Sequence, residues 1–288
     1  MIAYQSFKPA FDRLFAEGFT PTADLPESAD LAVVHITRSR EETLGLIAAA
    51  WRALSLGGWL IVDGDKSDGI DGIWKQLRKA LPGALQDSKA HGRVIWVQKS
   101  GGSLPDWQSA LAPTVNADGF ITTAGVFSAD RVDQGSAQLA QHLAGALKGR
   151  GADFGAGWGW LSAQALQQNP AIEALDLIEA ERRALDCAQA NVTDTRARFL
   201  WADATSAQGD YDFIVMNPPF HEGRKPDPSL GRAFIAAAAS ALATKGALWL
   251  VANRQLAYED TLAQYFATVE PLSQSGRFKV IRARKPRA

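Results

Sequence analysis

The stretch Tyr211-Asp-Phe-Ile-Val-Met216 is followed directly by Asn217-Pro218-Pro219-Phe220. The first six residues form the apolar run of a buried strand, and the next four form a stiff turn where that strand should end. Two successive prolines fix φ, so nearby hydrogen-bond acceptors are held in place at little ordering cost. Asn-Pro and Pro-Pro steps are also ordinary turn residues, so the rest of the chain must decide whether this turn is a site.

A glycine-rich segment, Asp153-Phe-Gly155-Ala-Gly157-Trp-Gly159, precedes that stretch. It ends one predicted strand and begins a helix, where glycine lets the backbone approach a ligand and free N–H groups can bind a carboxylate. The third glycine comes one residue too early for the dinucleotide pattern Gly-x-Gly-x-x-Gly, which argues against NAD. We therefore predict that Asp153, Gly155, Gly157 and Gly159 line a different cofactor site.

Strand-like apolar runs alternate with helical patterns from residue 151 onward. The predicted strands are residues 151–155, 172–179, 196–203, 211–216, 247–252 and 278–282, and the predicted helices include 160–168, 180–191 and 231–243. This alternation predicts an α/β fold with a doubly wound, mostly parallel sheet. Ligands bind such sheets at the carboxyl ends of the strands, so residues 153–159 and 217–220 should share one site.

Carboxylates occur at the ends of two further predicted strands. Glu179 is suited to hold a ribose diol, with Asp176 in the same strand as a competing candidate. Asp203 is suited to accept from an adenine amino group or, alternatively, to cap a helix. Three polar strand ends in this order favour S-adenosylmethionine as the cofactor.

The residue types at 217–220 suit an exocyclic base amine as the methyl acceptor. Such an amine has a delocalised lone pair, so an enzyme must hold it in place and favour pyramidal nitrogen. The Asn217 side-chain oxygen and the Pro218 carbonyl can accept its hydrogens, and Pro219 stiffens the loop. Phe220 offers a flat apolar face for the base.

A domain boundary is predicted at Lys99-Ser-Gly-Gly-Ser-Leu-Pro105, which separates residues 1–105 from 106–288. The order helix, glycine, strand occurs at 49–62 and again at 237–251. Where the second part has Asn217–Phe220, the first has His35-Ile-Thr-Arg38, and too few residues precede this strand to build a cofactor pocket. We interpret residues 1–105 as a partial, degenerate α/β domain, although similar composition alone is an alternative explanation.

The composition indicates a globular protein: 47% of the 288 residues are hydrophobic, and no run of about 18 apolar residues suggests a membrane span. We expect a cytoplasmic protein without a membrane partner. Cys187 lies in a helical pattern and is expected to be a packed thiol, and no metal site is predicted.

Positive charge is concentrated near the end of the chain, although the net charge is −1. The residues from Arg277 to Arg287 contain no acid and six bases: Arg277, Lys279, Arg282, Arg284, Lys285 and Arg287. This run is either a solubilising tail or a phosphate-contacting strand that attracts RNA.

With these motifs, the chain resembles the bacterial ribosomal RNA small-subunit methyltransferase C family, which are guanine-N2 methyltransferases with tandem α/β domains. The resemblance covers nearly all of residues 119–284 and is most specific at 125–136, 217–223, 250–253 and 276–280. Ala156 departs from the family's Asp-x-Gly-Cys-Gly form. The resemblance implies a Rossmann-like class I S-adenosylmethionine-dependent methyltransferase domain, preceded here by a shorter degenerate domain.

The resemblance also implies roles for individual residues. Those expected to bind S-adenosylmethionine are Gly155, Gly157, Glu179 and Asp203, with Phe127 and Ser136 near its methionine end. Asn217 and Pro218 would hold the guanine amine. His221 either touches RNA or is satisfied by backbone groups.

The expected activity is methyl transfer to guanine N2 in 16S ribosomal RNA, with the small ribosomal subunit as partner and a monomer as the favoured state. Three alternatives stay open. They are a 23S rRNA guanine, another amine such as that of adenine or glutamine, and a non-catalytic RNA-binding factor in ribosome assembly.

Overall fold

The computed structural model describes residues 1–219, 221–222, 225–226 and 228–287, and for 221–222 and 225–226 only the backbone. The chain divides into two compact units. Unit 1 comprises Met1–Gln5, Leu14–Thr114 and Thr122–Ala129, and unit 2 comprises Ser6–Arg13, Val115–Ile121 and Asp130–Ala288. The boundary predicted at residue 105 lies inside unit 1, which continues to Thr114.

The helices are α1 (Lys8–Ala16), α2 (Arg40–Ala53), α3 (Ile70–Ala80), α4 (Gln134–Ala140), α5 (Trp160–Gln168), α6 (Arg182–Asn191), α7 (Pro228–Ala241) and α8 (Glu259–Tyr265). The strands are β1 (Ile2–Tyr4), β2 (Thr20–Thr22), β3 (Ala29–His35), β4 (Leu54–Asp65), β5 (Leu85–Lys89), β6 (Gly92–Gln98), β7 (Thr114–Val115), β8 (Ile121–Thr122), β9 (Gly149–Phe154), β10 (Ile172–Glu179), β11 (Ala197–Trp201), β12 (Tyr211–Met216), β13 (His221–Glu222), β14 (Lys225–Pro226), β15 (Leu242–Asn253), β16 (Phe266–Ser275) and β17 (Phe278–Pro286).

Unit 2 is built on a seven-stranded sheet with the order β11-β10-β9-β12-β15-β17-β16. The pairs from β11 to β15 are parallel, and β17 runs antiparallel to both β15 and β16. One core contains residues of α7 and α8, and the other contains residues of α4, α5 and α6. Helices therefore cover both faces, as the doubly wound α/β prediction requires.

Strands β10 and β12 have the bounds predicted for them, because their apolar runs end at polar or proline residues. Sequence reasoning missed β16, whose residues Phe266–Ser275 include Pro271 and several polar side chains. Proline is tolerated in an edge strand, and β16 is the last strand of the sheet. It also missed the seven-residue helices α4 and α8, which are too short for a clear helical period.

Unit 1 contains a four-stranded sheet with the order β3-β4-β6-β5. Strands β3 and β4 are parallel, and the other two pairs are antiparallel. Ser39 is the N-cap of helix α2, and its side chain accepts from Glu42 N–H and so satisfies a free donor of the first turn. Its residues Ile47 and Trp51 pack with Ile73 and Leu77 of α3 in a core on one face of the sheet.

The two sheets share a pattern of strand order, direction and register. The order β3-β4-β6-β5 corresponds to β12-β15-β17-β16, with the same parallel and antiparallel pairs. In the parallel pair, Leu31 lies opposite Trp59 as Phe213 lies opposite Ala247, and each register is irregular at its start. The repetition detected in the sequence is thus also present in the strand topology.

Backbone crowding occurs near the start of the second strand of each repeat, where the register is irregular. A Cβ at Gly58 of β4 would lie 2.8 Å from the Asp30 carbonyl oxygen, and one at Gly246 of β15 would lie 2.7 Å from the Tyr211 carbonyl oxygen. Separations below 3 Å require the backbone to shift, so glycine is required at both positions for steric reasons.

We predict that Gly58→Ala destabilises unit 1 by about 1 to 3 kcal/mol, because the added methyl group meets backbone oxygens that cannot turn away. Gly72→Ala is the matched control, since this glycine lies exposed in α3 with no atom within 4 Å of the added Cβ. Its substitution should stabilise the helix by up to about 1 kcal/mol. Thermal and urea unfolding would measure both. Equal destabilisation by the two substitutions would contradict the crowding argument.

Candidate functional site

The register of the parallel strands brings the predicted site segments to one edge of the unit 2 sheet. Phe154 pairs with Ile178 on one side and with Met216 on the other. The next residues along these strands, Gly155, Glu179 and Asn217, therefore lie side by side. This edge is formed by carboxyl ends, as expected for a ligand site in a parallel sheet.

The glycine segment turns tightly between β9 and α5. The N–H groups of Gly155 and Ala156 donate to the Ile178 carbonyl at 2.9 and 3.2 Å, which ties the turn to the neighbouring strand. Gly157 has φ +57°, and no atom lies within 4 Å of where its Cβ would be. The turn can thus present bare backbone to a ligand at this residue.

Gly159 has a different structural role from Gly157. It lies at the start of α5 with φ +86°, and a Cβ there would lie 2.8 Å from Val192 Cγ2 and 3.1 Å from Ala188 Cβ. Its role in the structure is close packing between the start of α5 and the end of α6, at the border of the predicted site.

Glu179 connects the glycine turn to the end of β10. Its Oε2 accepts from Gly157 N–H at 2.7 Å, and its Oε1 accepts from Glu181 N–H at 2.8 Å. Burial raises the pKa of Glu179, and these backbone donors partly oppose that rise. Each carboxylate oxygen can accept more than one hydrogen, so the side chain can still receive a diol.

The end of β11 contributes Trp201 and Asp203. Asp203 Oδ1 accepts from Thr205 N–H at 2.8 Å and caps the short 3₁₀ turn Ala204–Ser206, so the capping alternative is present in the structure. A second carboxylate oxygen remains, so this cap is compatible with the predicted contact to adenine.

Residues 6–13 form a wall beside these strand ends that sequence reasoning missed. Arg182 N–H donates to the Ser6 carbonyl at 2.9 Å, and Trp201 Nε1 donates to the same oxygen at 3.1 Å. The Phe11 ring meets the Trp201 ring edge-on, with centroids 5.0 Å apart. No local pattern joins residues so distant in the chain, so only the fold reveals this contact.

Asp176, the competing candidate for the ribose contact, is occupied elsewhere. It is buried and accepts two hydrogen bonds from Arg198, at 2.6 and 2.9 Å, and one from the Tyr211 hydroxyl at 2.8 Å. Burial and this hydrogen bond raise the pKa of Tyr211 to about 12. This carboxylate joins three strands inside unit 2, which favours Glu179 for the ribose contact.

Asp153, which was predicted to bind the cofactor, is almost fully buried. Only 1% of its surface is exposed, and its Oδ2 accepts from the Ser162 hydroxyl at 2.7 Å. Burial raises its pKa from the usual 3.8 to about 7, against the lowering effect of Ser162, and Glu179 adds to the rise. In the structure its side chain links β9 to α5.

Asn217 is held by residues from the start of α4. Its Nδ2 donates to Asp133 Oδ1 at 2.8 Å and to Ser136 Oγ at 2.9 Å. Pro218 is buried and Pro219 is exposed. Ser136 was predicted from resemblance, whereas Asp133 was missed. Its spacing of three residues before Ser136 is an N-cap signal that could have identified it.

Three predicted contacts stay predictions. Phe220 lies outside the described residues, and so does the side chain of His221. Phe127 is exposed and belongs to unit 1.

The basic run near the end of the chain is partly neutralised within unit 2. Lys279 is buried and bonds Glu259 and the Leu256 carbonyl. Arg282 and Arg284 both pair with Glu270, at 2.7 and 3.5 Å. Half of the run thus supports the antiparallel edge of the sheet, which weakens the interpretation as a continuous phosphate-binding strand.

Two kinds of feature are absent from the described part of the chain. None of its helices is long and apolar enough to cross a membrane. None of its groups of His, Cys, Asp or Glu is arranged to hold a metal ion. Cys187 is buried, and burial raises its pKa to about 11, so its thiol is held in the unreactive protonated form.

Comparison with known proteins identifies the class to which this fold and site belong. The chain matches the family model described as the methyltransferase small domain over residues 118–282. This match covers β9, β10, β11, β12, β15 and β16 in full and β17 as far as Arg282, and it includes both the glycine turn and Asn217. The protein is therefore of the methyltransferase class.

Two relatives narrow the class further. A ribosomal RNA small subunit methyltransferase C from Shewanella loihica is 30% identical over 90% of this chain and 78% of the relative. Another from Alcanivorax borkumensis is 31% identical over 93% of this chain and 84% of the relative. The chain belongs to the ribosomal RNA small subunit methyltransferase C family.

A solved structure supports the same relationship. The T. thermophilus 16S rRNA N2 G1207 methyltransferase in complex with AdoMet and guanosine superposes with a TM-score of 0.83 at 26% sequence identity. The match covers 99% of this chain and 82% of the other.

We predict that Asp153 makes stability depend on pH. A carboxyl whose pKa is raised on folding binds its proton more tightly when folded, so its contribution is fully present below pH 3.8 and is lost as pH rises through about 7. Between pH 5 and 7 the wild type should lose about 2 kcal/mol more stability than Asp153→Asn. Urea unfolding of both proteins at each pH measures this. Parallel pH profiles would show that Asp153 does not titrate as described.

Proposed function

We propose that this protein transfers a methyl group from S-adenosylmethionine to the exocyclic N2 amine of a guanine in 16S ribosomal RNA. The observation that supports this best is the pairing of Met216 with Phe154, since it brings Asn217 beside the glycine turn that begins at Gly155. Family membership supports the same reaction, and the T. thermophilus relative was solved with AdoMet and guanosine.

The residues at the strand ends fit S-adenosylmethionine. The space at Gly157 allows a ligand to approach the backbone, and Glu179 offers carboxylate oxygens suited to the ribose hydroxyls. We assign Asp203 to the adenine amine, and the glycine turn to the methionine end. When bound, S-adenosylmethionine supplies an electrophilic methyl group.

In this proposal the protein contributes mainly position and electrostatics. The Asn217 oxygen and the Pro218 carbonyl accept the two amine hydrogens, which aims the nitrogen lone pair and favours pyramidal nitrogen. Fixed acceptors of this kind cost no reorganisation during the reaction. The methylated amine is strongly acidic, so its proton passes to water without a dedicated base. We assign the stacking face for the guanine to Phe220, after the base is flipped out of its stack.

The finer parts of the proposal concern the partner and the first unit. We propose that a monomer acts on RNA within the small ribosomal subunit, in the cytoplasm where ribosomes are assembled. We also propose that unit 1 is a degenerate, cofactor-free copy of the latter half of unit 2. The shared strand register supports this, and the strand that corresponds to β12 ends at His35 where β12 is followed by Asn217.

The proposal is tested by transfer of labelled methyl from S-adenosylmethionine to unmodified 30S and 50S subunits, with nucleoside analysis of the digested RNA. N2-methylguanosine from 30S alone is the expected result. Methylguanosine from 50S would favour the 23S alternative, and label on adenine or protein would indicate another amine. Binding of RNA without any transfer would favour a non-catalytic assembly factor.

We predict that Asn217→Ala lowers turnover at least about 100-fold while the Kd for S-adenosylmethionine changes little, because the oxygen that accepts the amine is lost while Glu179 and the glycine turn remain. Glu179→Ala should instead act mainly on cofactor binding. We expect it to raise the Kd for S-adenosylmethionine at least about 10-fold, since it removes two hydrogen bonds to the ribose diol. Calorimetry and single-turnover methyl transfer measure the two quantities. If Asn217→Ala weakened cofactor binding as strongly as it slowed transfer, Asn217 would have no separate role in holding the amine.

A further inference from the structure

The side-chain nitrogen of Asn217 has both of its hydrogens engaged. One is donated to Asp133 Oδ1 at 2.8 Å and the other to Ser136 Oγ at 2.9 Å. A primary amide has two N–H donors, so no donor is left for the substrate. Within the described residues the amide oxygen accepts no hydrogen bond, which leaves it for an incoming donor.

We propose that Asp133 and Ser136 are positioning residues that hold the Asn217 amide in one orientation, with its oxygen presented to the substrate amine. This inference rests on the proposed function for the nature of the amine. It adds to that function the contacts that determine whether the Asn217 side chain accepts a hydrogen bond from the substrate or donates one to it.

The carboxylate of Asp133 is what makes the orientation unique. If the amide turned over, its oxygen would face the carboxylate oxygen, and two acceptors would meet where a hydrogen bond had been. The resulting repulsion adds to the loss of a charge-assisted hydrogen bond. The negative charge next to Nδ2 also pushes electron density in the amide away from the nitrogen and toward the oxygen, which makes that oxygen a better acceptor.

Asp133 is itself firmly placed, so it can impose this orientation. It is the N-cap of α4, and its Oδ1 also accepts from Ser136 N–H at 2.9 Å. Between them, Gly135 packs so tightly that an added Cβ would lie 3.0 Å from both Asp133 Oδ1 and the Phe278 ring. The capped end of α4 is thereby fixed against β17.

The orientation has a consequence for specificity. The Watson–Crick edge of guanine carries an amine at N2 and a carbonyl at O6. An amide that turned freely could match either group, since it has both a donor end and an acceptor end. With its nitrogen engaged, Asn217 can bind only a hydrogen donor, so it accepts the amine and rejects the carbonyl oxygen.

The test uses variants that keep α4 capped. Asp133→Ser retains an N-cap hydroxyl but is too short to reach Asn217, and Ser136→Ala keeps the backbone N–H that the cap needs. We expect turnover to fall about 10- to 100-fold in Asp133→Ser and about 2- to 10-fold in Ser136→Ala. Gln138→Ala is the control on the same helix, since Gln138 contacts Ser273 instead. It should leave turnover and cofactor affinity unchanged.

A double-mutant cycle separates positioning from mere structure. In the Asn217→Ala background, Asp133→Ser should cause no further loss in single-turnover methyl transfer, because the amide it orients is gone. If Asp133 acted through the fold or through cofactor binding, the two losses would multiply. Multiplying losses, or a raised Kd for S-adenosylmethionine in Asp133→Ser, would overturn the proposal.

A measurement that does not depend on catalysis tests this proposal separately from the proposed function. In protein labelled with ¹⁵N asparagine, the side-chain NH₂ pair of Asn217 is the one missing in Asn217→Ala. We expect both protons to exchange slowly in the wild type and rapidly in Asp133→Ser. Fast exchange in the wild type would refute the orientation even if 30S subunits were methylated. Slow exchange with no methylation would leave the orientation standing and refute the function.

Discussion

The register of β12 against β9 is the constraint on which the rest of unit 2 depends. Because Met216 lies opposite Phe154, the turn after one strand and the turn after the other meet at a single edge. A shift of one residue would turn every side chain of β12 to the opposite face and exchange its two cores. Ile214 and Met216 are fully buried on one face, and Phe213 and Val215 on the other, so that shift is strongly opposed.

Features marked by a short local pattern could be predicted from the sequence, and features that depend on distant residues could not. Strands β10 and β12, the glycine turn and Glu179 are marked by short patterns of apolar residues, glycine and charge. The contacts of Asp176 could not be predicted, because its partners Arg198 and Tyr211 come from two other strands. For the same reason the wall formed by residues 6–13 could not be predicted. Its contact with Trp201 joins residues that lie far apart in the chain, and no local sequence pattern links them.

Comparison of the two units separates the residues that the shared topology requires from those that the candidate site requires. Register places His35 of unit 1 at the position of Asn217, and its ring nitrogen bonds Asp63 on the next strand. The following residue, Ile36, lies so close to Gly64 that a Cβ there would be 2.3 Å from it. In unit 1, an apolar contact thus occupies the position that corresponds to Pro218 of unit 2. The sheet survives this exchange because its cores lie on its faces, away from the strand ends.

The matching close approaches at Gly58 and Gly246 involve backbone oxygens, and backbone oxygens are present whatever the side chains are. The two glycines are therefore required by the chain path alone, independent of the chemistry at the sheet edge. For protein engineering, substitutions among the residues after β3 or β12 should keep Gly58, Gly246 and the buried strand faces, because these form the scaffold of each sheet.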